Sequence, residues 1–186
     1  GYGLMNEPHD LTPETSWFDM AQASINAIRE VDTNTLIMVG GNDWSSAERW
    51  IEQSDTLKYL KDPANNLAFE AHVYFDKDAS GTYKYSYEEE ECYPEKGIDR
   101  VKPFVEWIKQ NKFHGFIGEY GIPDNDPRWN ETLDLFLGYL QENGINGTYW
   151  AAGPWWDSYF MAITPKDGKD RPQMPIIEKY TSTLKK

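Results

Sequence analysis

The sequence predicts an α/β protein built on a parallel β-sheet. Apolar strand-like runs alternate with amphipathic helical stretches five times along the 186 residues. The runs at residues 36–39 and 67–74 are almost continuously apolar, as expected for strands that are covered on both faces. Repeated βα units of this kind form either an open doubly wound sheet or a closed eight-stranded barrel, and polar residues after the strands suit both architectures.

The individual elements follow from residue spacing and from start and stop signals. Thr12 is expected to cap the first helix, and Pro13 suits its first position. Gly144 lies just past the expected end of the fourth helix. The predicted strands lie at residues 3–5, 36–39, 67–74, 115–118 and 146–150. The predicted helices lie at residues 13–31, 45–52, 98–108, 126–143 and 176–184.

Composition excludes some partners and favours others. The net charge of −13 repels phosphate backbones and anionic lipid, so neither nucleic acid nor a membrane is an expected partner. No apolar run reaches the roughly 18 residues that a membrane span needs. The 8 tryptophans and 12 tyrosines are compatible both with core packing and with a neutral carbohydrate ligand, whose apolar ring faces stack on aromatic rings.

Two carboxylates interrupt apolar strands at their carboxyl ends. Asn6 and Glu7 end the first strand, and Glu119 ends the fourth strand. Burial of such groups costs several kcal/mol unless they are paired or face a cleft. A retaining glycosidase needs two carboxyl groups about 5–5.5 Å apart, so the two glutamates are candidates for such a pair.

Further polar and aromatic residues follow the strands. His72 and Tyr74 end the third strand, and alternation points both side chains to the same side, where the tyrosine hydroxyl could hydrogen-bond Glu119. Four tryptophans in βα loops are candidate platforms for sugar rings: Trp44, Trp150, Trp155 and Trp156. Four others lie on helices and are interpreted as packing residues: Trp17, Trp50, Trp107 and Trp129.

A long loop, residues 76–96, follows the third strand. It carries several tyrosines and is expected either to form one wall of a groove or to be mobile. Its acidic run, residues 88–91, is interpreted as a solvated edge.

Other catalytic chemistries are not supported. No Gly-x-Ser-x-Gly elbow occurs, and Cys92 lies in a loop without an obvious histidine base. His9, His72 and His114 lack the spacing of metal ligands, so neither a metal nor an organic cofactor is predicted.

At these residues the chain resembles glycoside hydrolase family 5, especially its cellulases. The resemblance extends over essentially the whole chain and rests on five motifs: residues 4–10 (Leu-Met-Asn-Glu-Pro-His-Asp), 41–44 (Gly-Asn-Asp-Trp), 72–74 (His-Val-Tyr), 118–121 (Gly-Glu-Tyr-Gly) and 149–150 (Tyr-Trp).

The resemblance implies a role for each matching residue. Glu7 would be the acid/base and Glu119 the nucleophile of a retaining endo-β-1,4-glucanase, secreted and acting on cellulose or β-glucan. The implied substrate-binding residues are Asn6, His9, Trp44, His72, Tyr74 and Trp150, and β-mannan or xyloglucan are alternative substrates.

The resemblance also implies a (β/α)8 barrel of which residues 1–186 supply five βα units, strands 4 to 8. The family has three further units upstream, which carry an arginine near the nucleophile and another histidine. We therefore expect this chain alone to be inactive and the missing units to be a possible partner. A carbohydrate-binding or complementing fragment without turnover is the alternative function, and an open-sheet sugar-binding domain is a weaker one.

Overall fold

The computed structural model of the chain describes residues 1–12 and 14–181. The five strands form one sheet in the order β1-β2-β3-β4-β5. No helix in these ranges is long and apolar enough to cross a membrane. The strands are β1 (Tyr2–Gly3), β2 (Ile37–Gly40), β3 (Leu67–His72), β4 (His114–Tyr120) and β5 (Asn146–Tyr149). The helices are α1 (Trp17–Arg29), α2 (Asn42–Ser45), α3 (Trp50–Ser54), α4 (Lys96–Asn111), α5 (Arg128–Glu142) and α6 (Met174–Tyr180).

The predicted alternation of strands and helices is confirmed, but the predicted start of the first helix is wrong. Thr12 does not cap α1; its hydroxyl hydrogen-bonds that of Thr15 at 2.8 Å in a turn before the helix. Ser16 is the N-cap, and its Oγ accepts from the backbone N–H of Asp19 at 3.2 Å. Pro13 lies outside the described residues, as does the end of the predicted last helix beyond residue 181.

The single short helix expected at residues 45–52 is instead two separate helical segments, α2 and α3. Within α2, three consecutive side-chain-bearing residues, Asp43, Trp44 and Ser45, have φ near +55°. Such left-handed residues each cost roughly 1–2 kcal/mol. Ser45 compensates through its hydroxyl, which accepts from Gly41 N at 2.8 Å and donates to Glu70 O at 2.5 Å.

The chain divides into two compact units, and helix α4 and strand β4 are each split between them. The first unit comprises Gly1–His72 and Val101–Gly118. In it, β1 pairs with β2 and β2 with β3, both in parallel. The core of this unit is aromatic: the Trp50 ring lies 5.4 Å from Trp107, which packs edge-on against Phe69 at 5.0 Å. Trp107 Nε1 also donates to Asp55 at 2.9 Å, which satisfies the buried indole.

The second unit comprises Val73–Arg100 and the residues from Glu119 onward. Trp129 on α5 is fully buried and meets the edges of Tyr83 at 5.0 Å and Tyr87 at 4.7 Å. Helix α6 is tied to α5 by the Tyr180 hydroxyl, which donates to Asp134 at 2.8 Å. The four tryptophans predicted to be packing residues are all at most 5% exposed, so that interpretation is confirmed.

Candidate active-site residues

Within the first unit, Glu7 and His72 form a hydrogen-bonded pair. His72 is the last residue of β3, but β1 ends at Gly3, so the prediction that Asn6 and Glu7 end the first strand is wrong and Glu7 lies four residues beyond that strand. His72 is 4% exposed, and its Nδ1 lies 2.7 Å from Glu7 Oε1. Each ring nitrogen of a histidine can donate or accept according to its tautomer, so this contact can persist whether or not the carboxyl group carries a proton. The other ring nitrogen, Nε2, lies 3.5 Å from Glu70 Oε1. His72 is therefore held between two carboxyl groups, which orient the imidazole toward Glu7.

Within the second unit, Tyr74 and Glu119 form the corresponding pair. The Tyr74 hydroxyl donates to Glu119 Oε2 at 2.7 Å, as the sequence predicted. Burial and the negative charge of Glu119 raise the pKa of Tyr74 well above its ordinary value, so the hydroxyl stays protonated at working pH. The backbone reinforces the pair, because Val73 N donates to Glu119 O at 3.0 Å. The arrangement holds a carboxylate in one orientation with a permanent hydrogen-bond donor.

His9 and Trp44 form a stacked pair in the first unit. Their ring centroids lie 4.5 Å apart with the planes only 12° from parallel, and Trp44 is 43% exposed. The left-handed turn of α2 presents the indole in this position. Asn6, the residue before Glu7, is exposed.

The tryptophans after β5 do not behave alike. Trp150 and Trp156 are half-buried and meet at 5.0 Å, and Trp156 continues to Tyr159 at a further 5.0 Å. Trp155 is 89% exposed and takes no part in this row of rings. Trp150 is fixed by its backbone N–H, which donates to Tyr120 O at 2.8 Å.

The long loop after β3 is held by buried acidic side chains. Asp76 is fully buried and accepts from the backbone N–H groups of Gly81 at 3.0 Å and Thr82 at 3.0 Å. Glu90 is 3% exposed and accepts from Lys77 N at 2.7 Å and Tyr85 N at 2.9 Å. The interpretation of residues 88–91 as a solvated edge is therefore wrong at Glu90, because the carboxylate serves as the acceptor for two loop amides.

Sequence reasoning missed two residues beside the predicted ones. Glu70 is the only charged residue in β3 and lies two positions before His72, so strand alternation could have placed it beside the histidine. Tyr83 gave no signal, because nothing in its neighbourhood distinguishes it from the other tyrosines of the loop.

Residues 1–155 match the family described as cellulase (glycosyl hydrolase family 5), so the chain belongs to that family. It is 37% identical over 181 residues to a probable endo-beta-1,4-glucanase B of Aspergillus kawachii. The aligned region covers 94% of this chain and 52% of the relative. The chain thus spans about half the length of the relatives that it matches.

Solved structures agree with the family assignment. The Pseudomonas stutzeri endoglucanase Cel5A in complex with cellobiose is 44% identical and superposes with a TM-score of 0.90, covering 98% of this chain and 54% of that one. XacCel5A in complex with cellopentaose is 40% identical with a TM-score of 0.85, covering 96% and 58%. The predicted fold class, five βα units of a (β/α)8 barrel, is confirmed.

Proposed function

We propose that this chain forms part of a retaining endo-β-1,4-glucanase that hydrolyses internal bonds of cellulose or mixed-linkage β-glucan. The observation that carries the proposal is the hydrogen bond of 2.7 Å between the Tyr74 hydroxyl and Glu119. A strand-end carboxylate that receives a fixed donor is held in one orientation, as a nucleophile requires. Membership of glycosyl hydrolase family 5 supports the reaction class.

The proposed mechanism is a double displacement. The Glu119 carboxylate attacks the anomeric carbon and forms a glycosyl ester, while Glu7 donates a proton to the departing glycosidic oxygen. Glu7 then removes a proton from water, the resulting hydroxide attacks the anomeric carbon, and Glu119 leaves with the anomeric configuration retained. His72, through its bond to Glu7, orients the acid/base during both steps. None of these steps needs a metal or an organic cofactor.

The proposed substrate is a neutral β-glucan chain. Support comes from the relatives, since similar structures hold cellobiose and cellopentaose. In this chain the half-exposed Trp44, stacked on His9, and the half-buried Trp150 offer ring faces for sugars. Trp155, Trp156 and Asn6 are further proposed contacts. β-Mannan and xyloglucan remain alternative substrates, and a polymeric substrate implies a secreted enzyme.

We further propose that hydrolysis requires the complete barrel, meaning this chain together with the three preceding βα units of the family, in one polypeptide or as a second chain. The chain covers only 52% of the Aspergillus kawachii relative, which favours this requirement. The same observation supports the second candidate function, a fragment that binds carbohydrate or complements the remaining units without turnover of its own.

The test compares hydrolysis of carboxymethylcellulose by the complete barrel and by this chain alone. Glu119→Gln and Glu7→Gln are each expected to lower kcat at least about 1000-fold in the complete barrel, because each removes one of the two reacting carboxyl groups. Glu106→Gln is the matched control: its carboxylate is 64% exposed on α4, and kcat should not change.

The outcomes separate the candidates. Activity in the complete barrel but not in the chain alone, lost in both carboxylate variants, supports the proposal. A rapid fall in viscosity relative to the release of reducing ends would establish endo action. Undiminished hydrolysis by Glu119→Gln would overturn the nucleophile assignment, and absence of hydrolysis in both preparations, with retained binding of cello-oligosaccharides, would favour the second candidate.

A further inference from the structure

We propose that Tyr83, held by the buried carboxylate of Asp76, is a positioning residue for the pair formed by Tyr74 and Glu119. This inference rests on the proposed function, since it concerns the group assigned there as the nucleophile. All of the contacts that carry it lie within the second unit of the chain.

The Tyr83 hydroxyl joins the two segments that carry the pair. It accepts from Phe75 N at 2.9 Å and donates to Gly121 O at 2.6 Å. Phe75 directly follows Tyr74, and Gly121 lies two residues after Glu119. One buried hydroxyl therefore sets the separation of the two backbone segments from which the paired side chains project.

The hydroxyl can do this only as a neutral group that both donates and accepts. Tyr83 is 8% exposed, and burial raises its pKa well above the ordinary value. Its ring is clamped edge-on by Trp129 at 5.0 Å, so the hydroxyl has little freedom to move away from its two partners.

The same loop also touches the Tyr74 ring directly. Gly81 lies so close that a Cβ at this position would be 3.0 Å from the Cγ and Cδ1 atoms of Tyr74. Asp76 holds this part of the loop, because it accepts from Gly81 N, Thr82 N and Tyr83 N at 3.0, 3.0 and 3.3 Å. The backbone of Tyr83 is held with φ at +43°, in the left-handed region.

Arg100 on helix α4 holds the backbone that carries Tyr74. It is buried, and its guanidinium donates to Tyr74 O at 2.5 Å and to Lys77 O at 3.0 Å. The backbone at Tyr74 is thus fixed by Arg100, the ring of Tyr74 by Gly81, and the separation from the Glu119 segment by Tyr83. Displacement of a reacting group by about 1 Å can slow catalysis about 100-fold.

The test uses Tyr83→Phe in the complete barrel, with Tyr87→Phe as the matched control. Tyr87 belongs to the same loop, packs on the same Trp129 ring and pairs its buried hydroxyl with Thr132 Oγ1 at 3.0 Å, but it does not join the two segments. The measurements are kcat and KM on a soluble cello-oligosaccharide, the melting temperature, and the rate of inactivation by a 2-deoxy-2-fluoro-cellobiosyl fluoride. In that reaction the Glu119 carboxylate bonds to the anomeric carbon and fluoride leaves.

The expected result is a kcat and an inactivation rate about 10- to 100-fold lower in Tyr83→Phe, with KM within about twofold of wild type. Tyr87→Phe should lose a similar amount of thermal stability while keeping kcat and the inactivation rate. Equal kinetic behaviour of the two variants would overturn the positioning role. If Tyr83→Phe does not fold, Asp76→Asn decides, because Asp76 holds the Tyr83 backbone: a lower kcat and inactivation rate at unchanged KM support the role, and wild-type values overturn it.

Glu119→Gln, measured in parallel, separates this inference from the proposed function. Loss of activity and of labelling in Glu119→Gln, together with wild-type kinetics in Tyr83→Phe, would overturn the inference alone. Full activity in Glu119→Gln would overturn both.

Discussion

The close packing of Gly118 on strand β4 against the Glu70 side chain can be tested by adding a single methyl group at Gly118. An ideal Cβ at this position would lie 1.9 Å from Glu70 Oε1, 2.8 Å from its Cδ and 2.9 Å from its Cγ. Gly118→Ala must therefore displace the Glu70 side chain, which is 17% exposed and lies 3.5 Å from His72 Nε2, or move the strand.

The expected cost follows from two opposing effects. Overpacking of a tight site costs about 1–3 kcal/mol. Alanine in place of glycine gains about 0.4–1 kcal/mol by restricting the unfolded chain, provided that its backbone conformation is compatible. The sum is a loss of roughly 0–2.6 kcal/mol in the free energy of unfolding.

The assay is urea unfolding of the complete barrel, with two comparison variants. Gly3→Ala on β1 meets nothing within 4 Å and should be neutral or stabilising by up to about 1 kcal/mol. In a Glu70→Ala background the obstacle is gone, so Gly118→Ala should lose its cost there. A Gly118→Ala variant that is more stable than Gly3→Ala, or a cost that is unchanged in the Glu70→Ala background, would refute the steric reasoning.

Three further predictions concern the candidate site. His72→Gln should lower kcat about 10- to 100-fold in steady-state assays, because a hydrogen bond to a charged group is worth about 1.5–3 kcal/mol; a wild-type kcat would contradict the role of His72 at Glu7. Trp44→Ala should raise KM about 2- to 10-fold at unchanged kcat, since loss of a ring contact worth about 0.5–1.5 kcal/mol weakens binding uniformly, and a change confined to kcat would contradict this. The raised pKa values of Tyr74 and Tyr83 predict stability that is full below about pH 10 and falls as pH rises above it, because the unfolded tyrosines ionise first. Absorbance at 295 nm should then rise together with unfolding, whereas ionisation of these two residues in the folded protein near pH 10 would contradict the prediction.

The elements that could be predicted from the sequence are those governed by local periodicity. The apolar runs of β2 and β3 and the helical spacing of α1, α4 and α5 gave their positions, because burial of one helical face or of both strand faces leaves a regular pattern. The start of α1 could not be predicted from local sequence. Thr12 and Ser16 are both competent caps, and the choice depends on how the preceding turn is closed.

The site was predictable where a polar residue interrupts an apolar strand. Glu119 was found in this way and Tyr74 by strand alternation from His72, and the hydrogen bond predicted between them is present. Tyr83 could not be found, because its role depends on a left-handed backbone and on two backbone partners 8 and 38 positions away. Glu90 was misread for the same reason, since its burial is decided by loop amides that no periodicity encodes.

The most direct test of the proposed function is to trap the glycosyl-enzyme. The complete barrel would be inactivated with 2-deoxy-2-fluoro-cellobiosyl fluoride, digested and mapped by mass spectrometry. We predict one 2-deoxy-2-fluoro-cellobiosyl adduct on the peptide that contains Glu119, formed at the same rate as activity is lost. An adduct on another residue, or hydrolysis with inversion of the anomeric configuration and no adduct, would contradict the assignment of Glu119 as the nucleophile.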